Sequence, residues 1–280
     1  MPARLHHDLV TDPGGAAPRA WALFTHGIYG SGGNWRAIAR QVVTRRPEWG
    51  VVLVDLRQHG RSEPGDPPHT VAACAADLVA LVDELGRGGR LIRVLLGHSF
   101  GGKVVLAARA HVEPAQTWVL DSTPSARPDH WEASSNSVRE VWESMRALDR
   151  TWTRRDDFVA AMVERGHTTV LAQWVAMNLE SDGSGGYRLR LDLDAVRALL
   201  VDYYAADLWP AVAGDATPGE VWMVVAEHSG AVSPDDRARL ASLEGARVHT
   251  RTLDAGHWLN VDAPAAVVDL LADELPNRSP

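Results

Sequence analysis

The feature that most constrains the fold is an alternation of short apolar runs with longer amphipathic ones. Apolar runs with few polar interruptions are typical of parallel strands whose sheet is covered by helices on both faces. The predicted strands are Ala20–His26, Val51–Leu56, Ile92–His98, Thr117–Ser122, Val221–Glu227 and Arg247–Asp254. The predicted helices between them are Trp35–Arg45, Val71–Leu85, Lys103–His111, Pro234–Leu243 and Pro264–Leu275. Right-handed crossovers then predict a mostly parallel, doubly wound α/β sheet.

The alternation stops between about residues 125 and 210, where helical patterns prevail. Ser137–Leu148 opens with a capping-box pattern, and Glu180–Tyr187 (ESDGSGGY) is typical of a flexible turn. No convincing buried strand is found in this segment. We therefore predict a helical cap subdomain over residues 125–210, inserted into a core domain made of residues 1–124 and 211–280.

Composition and charge exclude several classes of protein. The 280-residue chain is 45% hydrophobic and 23% charged, as in ordinary globular proteins. Its net charge of -8 argues against a nucleic-acid or anionic-membrane surface. No apolar run approaches the roughly 20 residues of a membrane span, and the first residues lack the apolar core of a signal peptide. We expect a cytoplasmic monomer or homodimer.

The stretch VLLGHSFGGKVV places Ser99 where a predicted strand gives way to a helix. A serine in so sharp a turn has a strained backbone, and side chains two residues before and after it would clash. Gly97 and Gly101 remove that clash. The turn would raise the serine hydroxyl above the sheet and point the N–H of Phe100 at a developing oxyanion. We predict that Ser99 is a nucleophile, although this short pattern also occurs by chance.

A serine hydroxyl needs a base, and a second N–H donor would complete an oxyanion hole. His257, in DAGHWLNVDAP, follows the last predicted strand and is the expected base. The glycine-rich loop FTHGIYGSGGNW follows the first strand, and its Ile28 N–H is the expected second donor. This loop lacks the GK[ST] ending of a phosphate-binding loop, which disfavours a nucleotide site.

These motifs resemble those of the α/β-hydrolase superfamily of serine hydrolases. HGIYGSGGNW is similar to the family's oxyanion loop, DLRQHGRS to its D-x-R-x-H-G-x-S loop, GHSFGGK to its nucleophile motif and DAGHW to its histidine motif. The resemblance runs through nearly the whole chain and implies the α/β-hydrolase fold with an inserted cap. LDSTP and NLESDGSGGYRLRLDLDAV are similar to a branch of small-acyl-ester esterases, the abhydrolase-domain esterases.

The resemblance also bears on the third member of the triad. Most relatives carry the acid a few residues after strand seven, where this chain has Ser229. The esterase branch takes its acid from a DxxP motif after strand six, which corresponds to Asp121 in LDSTP. Asp121 is therefore the expected triad acid, with Glu227 and Asp254 as alternatives. Asp55 and Arg57 are expected to be structural, as an ion pair or a turn anchor.

Tryptophan is unusually abundant, with 11 residues against 3 phenylalanines. Most should be packing residues, but Trp35 and Trp258 stand beside the motifs and are the candidates for an apolar substrate pocket. Serine, base and donors suffice for acyl transfer, so no metal or organic cofactor is expected.

The resemblance implies a serine esterase that hydrolyses small carboxylic esters. Three alternatives would use the same triad: a carbon–carbon bond hydrolase, a thioesterase or acyltransferase, and a non-catalytic ligand receptor. Epoxide and haloalkane enzymes of the superfamily need an aspartate at the position of Ser99, which disfavours them. Acyl length, alcohol partner and oligomeric state stay open.

Overall fold

The computed structural model describes residues 1–214 and 217–277, and over these the chain forms a central sheet flanked by helices. The strands are β1 (His7–Val10), β2 (Ala20–Thr25), β3 (Trp49–Val54), β4 (Ile92–His98), β5 (Gln116–Leu120), β6 (Thr151–Trp152), β7 (Leu179–Ser181), β8 (Tyr187–Leu189), β9 (Glu220–Ala226) and β10 (Val248–Leu253). The predicted core segment 211–280 includes residues 215–216 and 278–280, which lie outside the described residues.

The α-helices have these bounds: α1 (Arg36–Arg45), α2 (Val71–Arg87), α3 (Phe100–Val112), α4 (Ser137–Ala147), α5 (Arg155–Glu164), α6 (Thr169–Ala176), α7 (Leu193–Ala205), α8 (Trp209–Ala213), α9 (Pro234–Leu243), α10 (Leu259–Asp262) and α11 (Pro264–Glu274). Two 3-10 helices cover Gly32–Trp35 and Pro128–Glu132. Helix α9 begins as its sequence predicts, since the Ser233 hydroxyl accepts from the N–H of Asp236 at 3.1 Å. None of the helices in the described ranges is both long and apolar enough to cross a lipid bilayer.

The main sheet has the order β1-β3-β2-β4-β5-β9-β10. All of its pairs are parallel except the edge strand β1, which runs antiparallel to β3. The chain leaves β2 to one side to form β3 and then returns to the other side to form β4. Ligands of doubly wound sheets bind outside the carboxyl ends of the strands at such a reversal. The loops after β2 and β4 carry Ile28 and Ser99, so both lie at this point.

Apolar side chains cover the sheet on both faces. One core cluster packs β2, β4 and β5 against α2 and α3, and a second packs the opposite face against α1 and α11. The six predicted strands are confirmed to within about two residues at their ends, and the mostly parallel, doubly wound sheet is confirmed with them.

The segment 125–210 is not purely helical, which corrects the sequence-based description. It contains α4 to α7 together with a small antiparallel sheet of order β6-β8-β7. Residues 180–187, expected to be a flexible turn, join β7 to β8, and the Asp182 carboxylate accepts from the N–H groups of Ser184 and Gly186. Strands of two or three residues are too short to give a periodic signal.

The segment 125–210 shares its apolar core with the sheet. Trp131, Val141 and Leu199 belong to the same buried cluster as Leu95 and Val119 of the central strands. The predicted boundary between residues 210 and 211 falls inside α8. The division into a core domain and a cap subdomain stays a prediction.

Candidate active site

Ser99 lies at the junction of β4 and α3 with a strained backbone. Its φ of 52° and ψ of -118° are unusual for a residue with a side chain. The conformation is held from both sides, because the Ser99 N–H donates to the carbonyl of Leu120 at 2.9 Å and its carbonyl accepts from Gly102 at 2.8 Å. Strain of this kind persists only where the surrounding structure enforces it. The turn has the geometry that the sequence predicts.

The glycines beside Ser99 are required by close backbone approach. A Cβ at Gly97 would overlap the carbonyl oxygen of Gly101, and one at Gly101 would lie 2.5 Å from Oγ1 of Thr25. Gly102 packs against Ser122 in the same way, since a Cβ there would lie 2.7 Å from that residue's Cβ. These contacts let α3 start directly against β2 and β5.

We expect Gly97→Ala to lower the free energy of unfolding by ~3 kcal/mol, at the upper end of the range for overpacked sites, because the new methyl group meets backbone that cannot move away. Urea unfolding followed by circular dichroism measures this. The matched control is Gly86→Ala in α2, where a Cβ would meet no atom of the described chain within 4 Å. That variant should gain up to ~1 kcal/mol from helix propensity. Equal stability of Gly97→Ala and Gly86→Ala would contradict the close backbone contact at Gly97.

His257 and Asp121 meet at the carboxyl edge of the sheet. His257 follows β10, Asp121 follows β5, and His257 Nδ1 lies 2.7 Å from Asp121 Oδ2. Asp121 is fully buried, and its φ of 45° turns the chain sharply after the strand. Its backbone N–H donates to Val224 at 2.7 Å, and its Oδ1 accepts from the N–H of Ala226 at 3.1 Å. The carboxylate is therefore fixed before any substrate binds.

The surroundings keep the Asp121 carboxylate ionised. Burial alone would raise its pKa, but hydrogen bonds from His257 and Ser229, the positive charge that His257 can carry and the N–H of Ala226 together bring the pKa below its ordinary value. An ionised carboxylate only accepts hydrogen bonds, so Nδ1 of His257 must be the donor. The other ring nitrogen, Nε2, is then free to accept a proton.

The alternative acids lie elsewhere. Glu227 is exposed, and Asp254 accepts from Nε2 of His228 at 2.7 Å on the surface. Ser229, at the position where the resemblance would place the acid, is one of the groups that lower the pKa of the Asp121 carboxyl.

The two predicted oxyanion donors flank Ser99. Ile28 lies in a tight turn closed by the N–H of Gly30 on the carbonyl of Gly27 at 3.0 Å. This turn touches the serine, since a Cβ on Gly27 would lie 3.2 Å from the Ser99 Cβ. Phe100 is the first residue of α3, and the first N–H groups of a helix have no acceptor inside it. Ile28, Ser99, Phe100 and His257 all line one cavity.

Two buried histidines that the sequence reasoning missed hold the Ile28 turn in place. His26 binds the carbonyl of Gly27 through Nδ1 and accepts from the N–H of Leu56 through Nε2. His59 binds the carbonyl of Arg57 through Nδ1, and its Nε2 accepts from the N–H of Tyr29 at 3.2 Å. Burial, with the nearby His26, lowers the pKa of His59 to about 3, so its ring stays neutral. The sequence signal that could have identified these two histidines is their place in the motifs: His26 lies in HGIYGSGGNW and His59 in DLRQHGRS.

His98 positions the loop that carries the expected base. Its Nε2 lies 2.7 Å from the backbone carbonyl of His257, and the two rings are 4.8 Å apart. Burial first, and then the charge that His257 can carry, lower the pKa of His98 to about 3. A neutral His98 with its proton on Nε2 satisfies the carbonyl and adds no charge beside His257.

Asp55 anchors the turn of the DLRQHGRS loop, and Arg57 has a different partner. The Asp55 carboxylate accepts from the N–H groups of Gly32 and Arg61 at 2.7 and 2.8 Å. Arg57 forms a buried pair with Asp77, its Nε donating at 2.6 Å. The expected turn anchor is therefore present, but an ion pair between Asp55 and Arg57 is not formed.

The cavity above Ser99 has a volume of about 630 Å³ and lies between the sheet and the segment 125–210. Trp258 lines it and packs against Trp174 of α6, with ring centroids 4.3 Å apart. The prediction for Trp35 is wrong, because its side chain is only 1% exposed and packs in the core beneath the site against Phe24 and His98. The 3-10 helix at Gly32–Trp35 turns the ring inward, which the motif alone does not reveal.

Known proteins resemble this chain over most of its length. A zebrafish (Danio rerio) protein named sn-1-specific diacylglycerol lipase ABHD11 is 29% identical, covering 94% of this chain and 80% of the relative. Lipase LipV of Mycobacterium tuberculosis is also 29% identical, covering 97% of this chain and 99% of the relative. A solved structure described as a marine microorganism esterase matches with a TM-score of 0.79 at 20% identity, covering 97% of this chain and 99% of that one.

The family comparison agrees with the fold. The model described as "Alpha/beta hydrolase family" matches residues 22–270, a range that contains the strand ends bearing Ile28, Ser99, Asp121 and His257. The chain belongs to the alpha/beta hydrolase family.

Proposed function

We propose that the protein is a serine esterase that hydrolyses small carboxylic esters, with Ser99 as nucleophile, His257 as base and Asp121 as the acid that orients it. The observation that carries the proposal is the 2.7 Å contact between buried Asp121 and His257, at a cavity that Ser99 also lines. The carboxylate, the imidazole and the hydroxyl follow β5, β10 and β4. The carboxyl ends of these three strands lie at the same edge of the central sheet. Roles in a triad follow from such geometry and not from order in the chain.

In the first half of the reaction, Ser99 Oγ attacks the ester carbonyl while His257 Nε2 takes the hydroxyl proton. Asp121 stabilises the imidazolium that forms. The N–H groups of Ile28 and Phe100 donate to the oxyanion of the tetrahedral intermediate. His257 then returns the proton to the leaving oxygen, the carbon–oxygen bond breaks, and the alcohol departs from an acyl-enzyme.

In the second half, water replaces the alcohol. His257 takes a proton from the water as its oxygen attacks the acyl carbonyl, and the same two N–H groups hold the new oxyanion. Proton return to Ser99 Oγ releases the carboxylic acid and restores the enzyme. Ser99, His257, the ester and one water molecule account for each bond made and broken in the two halves.

One observation supports ester hydrolysis, and a second supports an ester of modest size. The relatives described above are named lipases and esterases, and esterase YbfF of Escherichia coli is 28% identical over 88% of this chain. The cavity volume of about 630 Å³ falls within the range of small-molecule sites. Its walls mix apolar residues such as Leu171 and Trp258 with polar ones such as Ser137 and Thr168.

A fluorophosphonate probe and an ester series test the proposal together. We expect the probe to modify Ser99, because this serine lies in the strained turn before α3 and shares the cavity with His257 and the two predicted donors, and peptide mapping locates the adduct. Hydrolysis of p-nitrophenyl esters should be fastest for short acyl chains and fall as the chain outgrows the cavity. Absence of an adduct on Ser99 in folded protein would overturn the proposal.

Matched acceptors and substrates distinguish the related activities. A preference for acyl transfer to an added alcohol over water would indicate an acyltransferase, and a preference for thioesters would indicate a thioesterase. Cleavage of a 1,3-diketone with no cleavage of esters would indicate a carbon–carbon bond hydrolase. Tight ligand binding with no turnover would indicate a receptor.

A further inference from the structure

We infer that the substrate of this cavity carries a carboxylate in addition to the ester, and that Arg127 binds it. The inference rests on the proposed function and narrows the substrate class to anionic esters. Arg127 is not part of the proposed acyl-transfer machinery; it follows Asp121 by six positions and lines the wall formed by the segment 125–210.

The backbone of Arg127 is fixed on both sides. Its N–H donates to the carbonyl of Tyr204 in α7 at 2.6 Å, and its carbonyl accepts from the N–H of His130 at 2.9 Å. Pro128 follows it and opens the 3-10 helix Pro128–Glu132. The point from which this side chain starts is therefore fixed at the cavity wall.

Within the described residues, the guanidinium of Arg127 has no hydrogen-bond or ion-pair partner. Its Nε is buried from solvent and has no hydrogen-bond acceptor in the described part of the chain. Over residues 1–214 and 217–277, its side chain makes no ion pair within 4.0 Å. Other interior arginines contrast with it, since Arg109 donates to three backbone carbonyls and Arg57 pairs with Asp77. An unpaired guanidinium at a cavity wall is suited to an incoming anion, which its terminal nitrogens, and not the enclosed Nε, would contact.

The charge balance of the cavity favours an anion. Among its described lining residues there is no aspartate, glutamate or lysine, so Arg127 is the single permanent charge on its walls. Lys103 lies nearby but is engaged, since its Nζ donates to the carbonyls of Ser125, Tyr203 and Ala206. The chain as a whole has a net charge of -8, so the positive charge on the cavity wall is not a consequence of its composition.

A carboxylate fits this wall better than a phosphate. One guanidinium neutralises one negative charge, and its planar fork matches the two oxygens of a carboxylate. A phosphate monoester carries nearly two charges, and the second would be left without a partner. Ser135, Ser137 and Thr168, which carry hydroxyl donors, also line the cavity.

Paired substrates test the inference in the intact protein. Monoethyl adipate against ethyl hexanoate places the carboxylate on the acyl side, and 4-acetoxybutanoate against pentyl acetate places it on the alcohol side. We expect the wild type to prefer the anionic member of one pair by kcat/KM, measured by pH-stat titration. Arg127→Gln should lower that preference by about tenfold to a hundredfold, as expected for a lost charge-assisted bond. Arg127→Lys should restore part of it.

The matched control is Arg154→Gln, which removes an exposed arginine of the same segment that pairs with Asp156. It should leave the preference for the anionic ester as in the wild type. Thermal unfolding of each variant reports folding separately. No preference in the wild type for either anionic ester, or an equal effect of Arg127→Gln on both members of a pair, would overturn the inference.

A binding measurement separates this inference from the proposed function. We expect adipate to bind the unreacted wild-type protein by isothermal titration calorimetry, and Arg127→Gln to weaken that binding by a similar factor. Adipate binding that depends on Arg127, in a protein that cleaves none of the esters, would support the anion site and overturn the esterase. Ester cleavage with no adipate binding and no anionic preference would support the esterase and overturn the anion site.

Discussion

Ser99→Ala is expected to lower kcat for the best p-nitrophenyl ester by about a million-fold, as removal of the nucleophile does in other triads. No nearby group can take its place in the proposed reaction, because His257 Nε2 would then face a methyl group and no acyl-enzyme could form. KM should change little, since the cavity walls that hold the ester are untouched. Steady-state kinetics with active-site titration of the wild type measures the loss.

A second variant separates this chemical loss from damage to the fold. The φ of 52° at Ser99 strains any residue that carries a Cβ, so Ser99→Gly should be as inactive as Ser99→Ala and yet more stable. Ser122→Ala is the matched control, because Ser122 is also buried beside α3 but contacts the hydroxyl of Tyr203. It should keep activity within about tenfold of the wild type. Activity above 1% in both Ser99 variants would remove Ser99 from the mechanism.

The parts of the site that could be predicted from the sequence are those with strong local causes. Only glycine fits at positions 97 and 101, because backbone and a threonine hydroxyl occupy the space of any side chain there. A residue that directly follows a buried strand of a parallel sheet must lie at the carboxyl edge. Ser99 and Asp121 satisfy this condition, and His257 lies four positions beyond the end of β10, so the strand pattern places all three near this edge even though they are far apart in the chain.

Other features depend on contacts that no local pattern contains. The edge strand β1 is four residues long and pairs with β3 across a long separation in sequence. Trp35 and Trp258 both stand beside a motif, yet the 3-10 turn buries one while the other lines the cavity. Arg57 takes Asp77 as its partner because α2 lies against the loop, which the loop sequence alone does not show.

The buried histidines show that electrostatic properties also depend on contacts that no local sequence pattern contains. His26, His59 and His98 have the residue type expected of catalytic bases, and the sequence contains His257 as one histidine among 12. Each of the three binds a backbone carbonyl and is held neutral by burial, whereas His257 contacts an ionised carboxylate and is partly exposed at 31% of its side-chain surface. The burial of each histidine and the group that it contacts thus make His257 the one suited to the proposed role of base. Both properties arise from tertiary structure.

The second large effect is expected at the proposed triad acid: Asp121→Asn should lower kcat by about 10⁴-fold. The amide nitrogen of asparagine donates where the carboxylate accepts, so it favours the His257 tautomer with its proton on Nε2. That nitrogen can then no longer take the proton of Ser99. Stability should change less than activity, because asparagine tolerates the φ of 45° at this position and can still accept from Ala226. Kinetics above and below neutral pH, with urea unfolding, measure both effects.

Glu227→Gln provides the control that decides between the acids. Glu227 follows the neighbouring strand β9 and is exposed, so its amide should keep activity within about twofold of the wild type. Asp121 differs in having no access to solvent, which is why its single charge can hold the His257 ring in one tautomer and stabilise the imidazolium. A large loss in Glu227→Gln, with Asp121→Asn near wild-type activity, would mean that the ring turns toward β9 during the reaction and that the 2.7 Å contact is not the catalytic one.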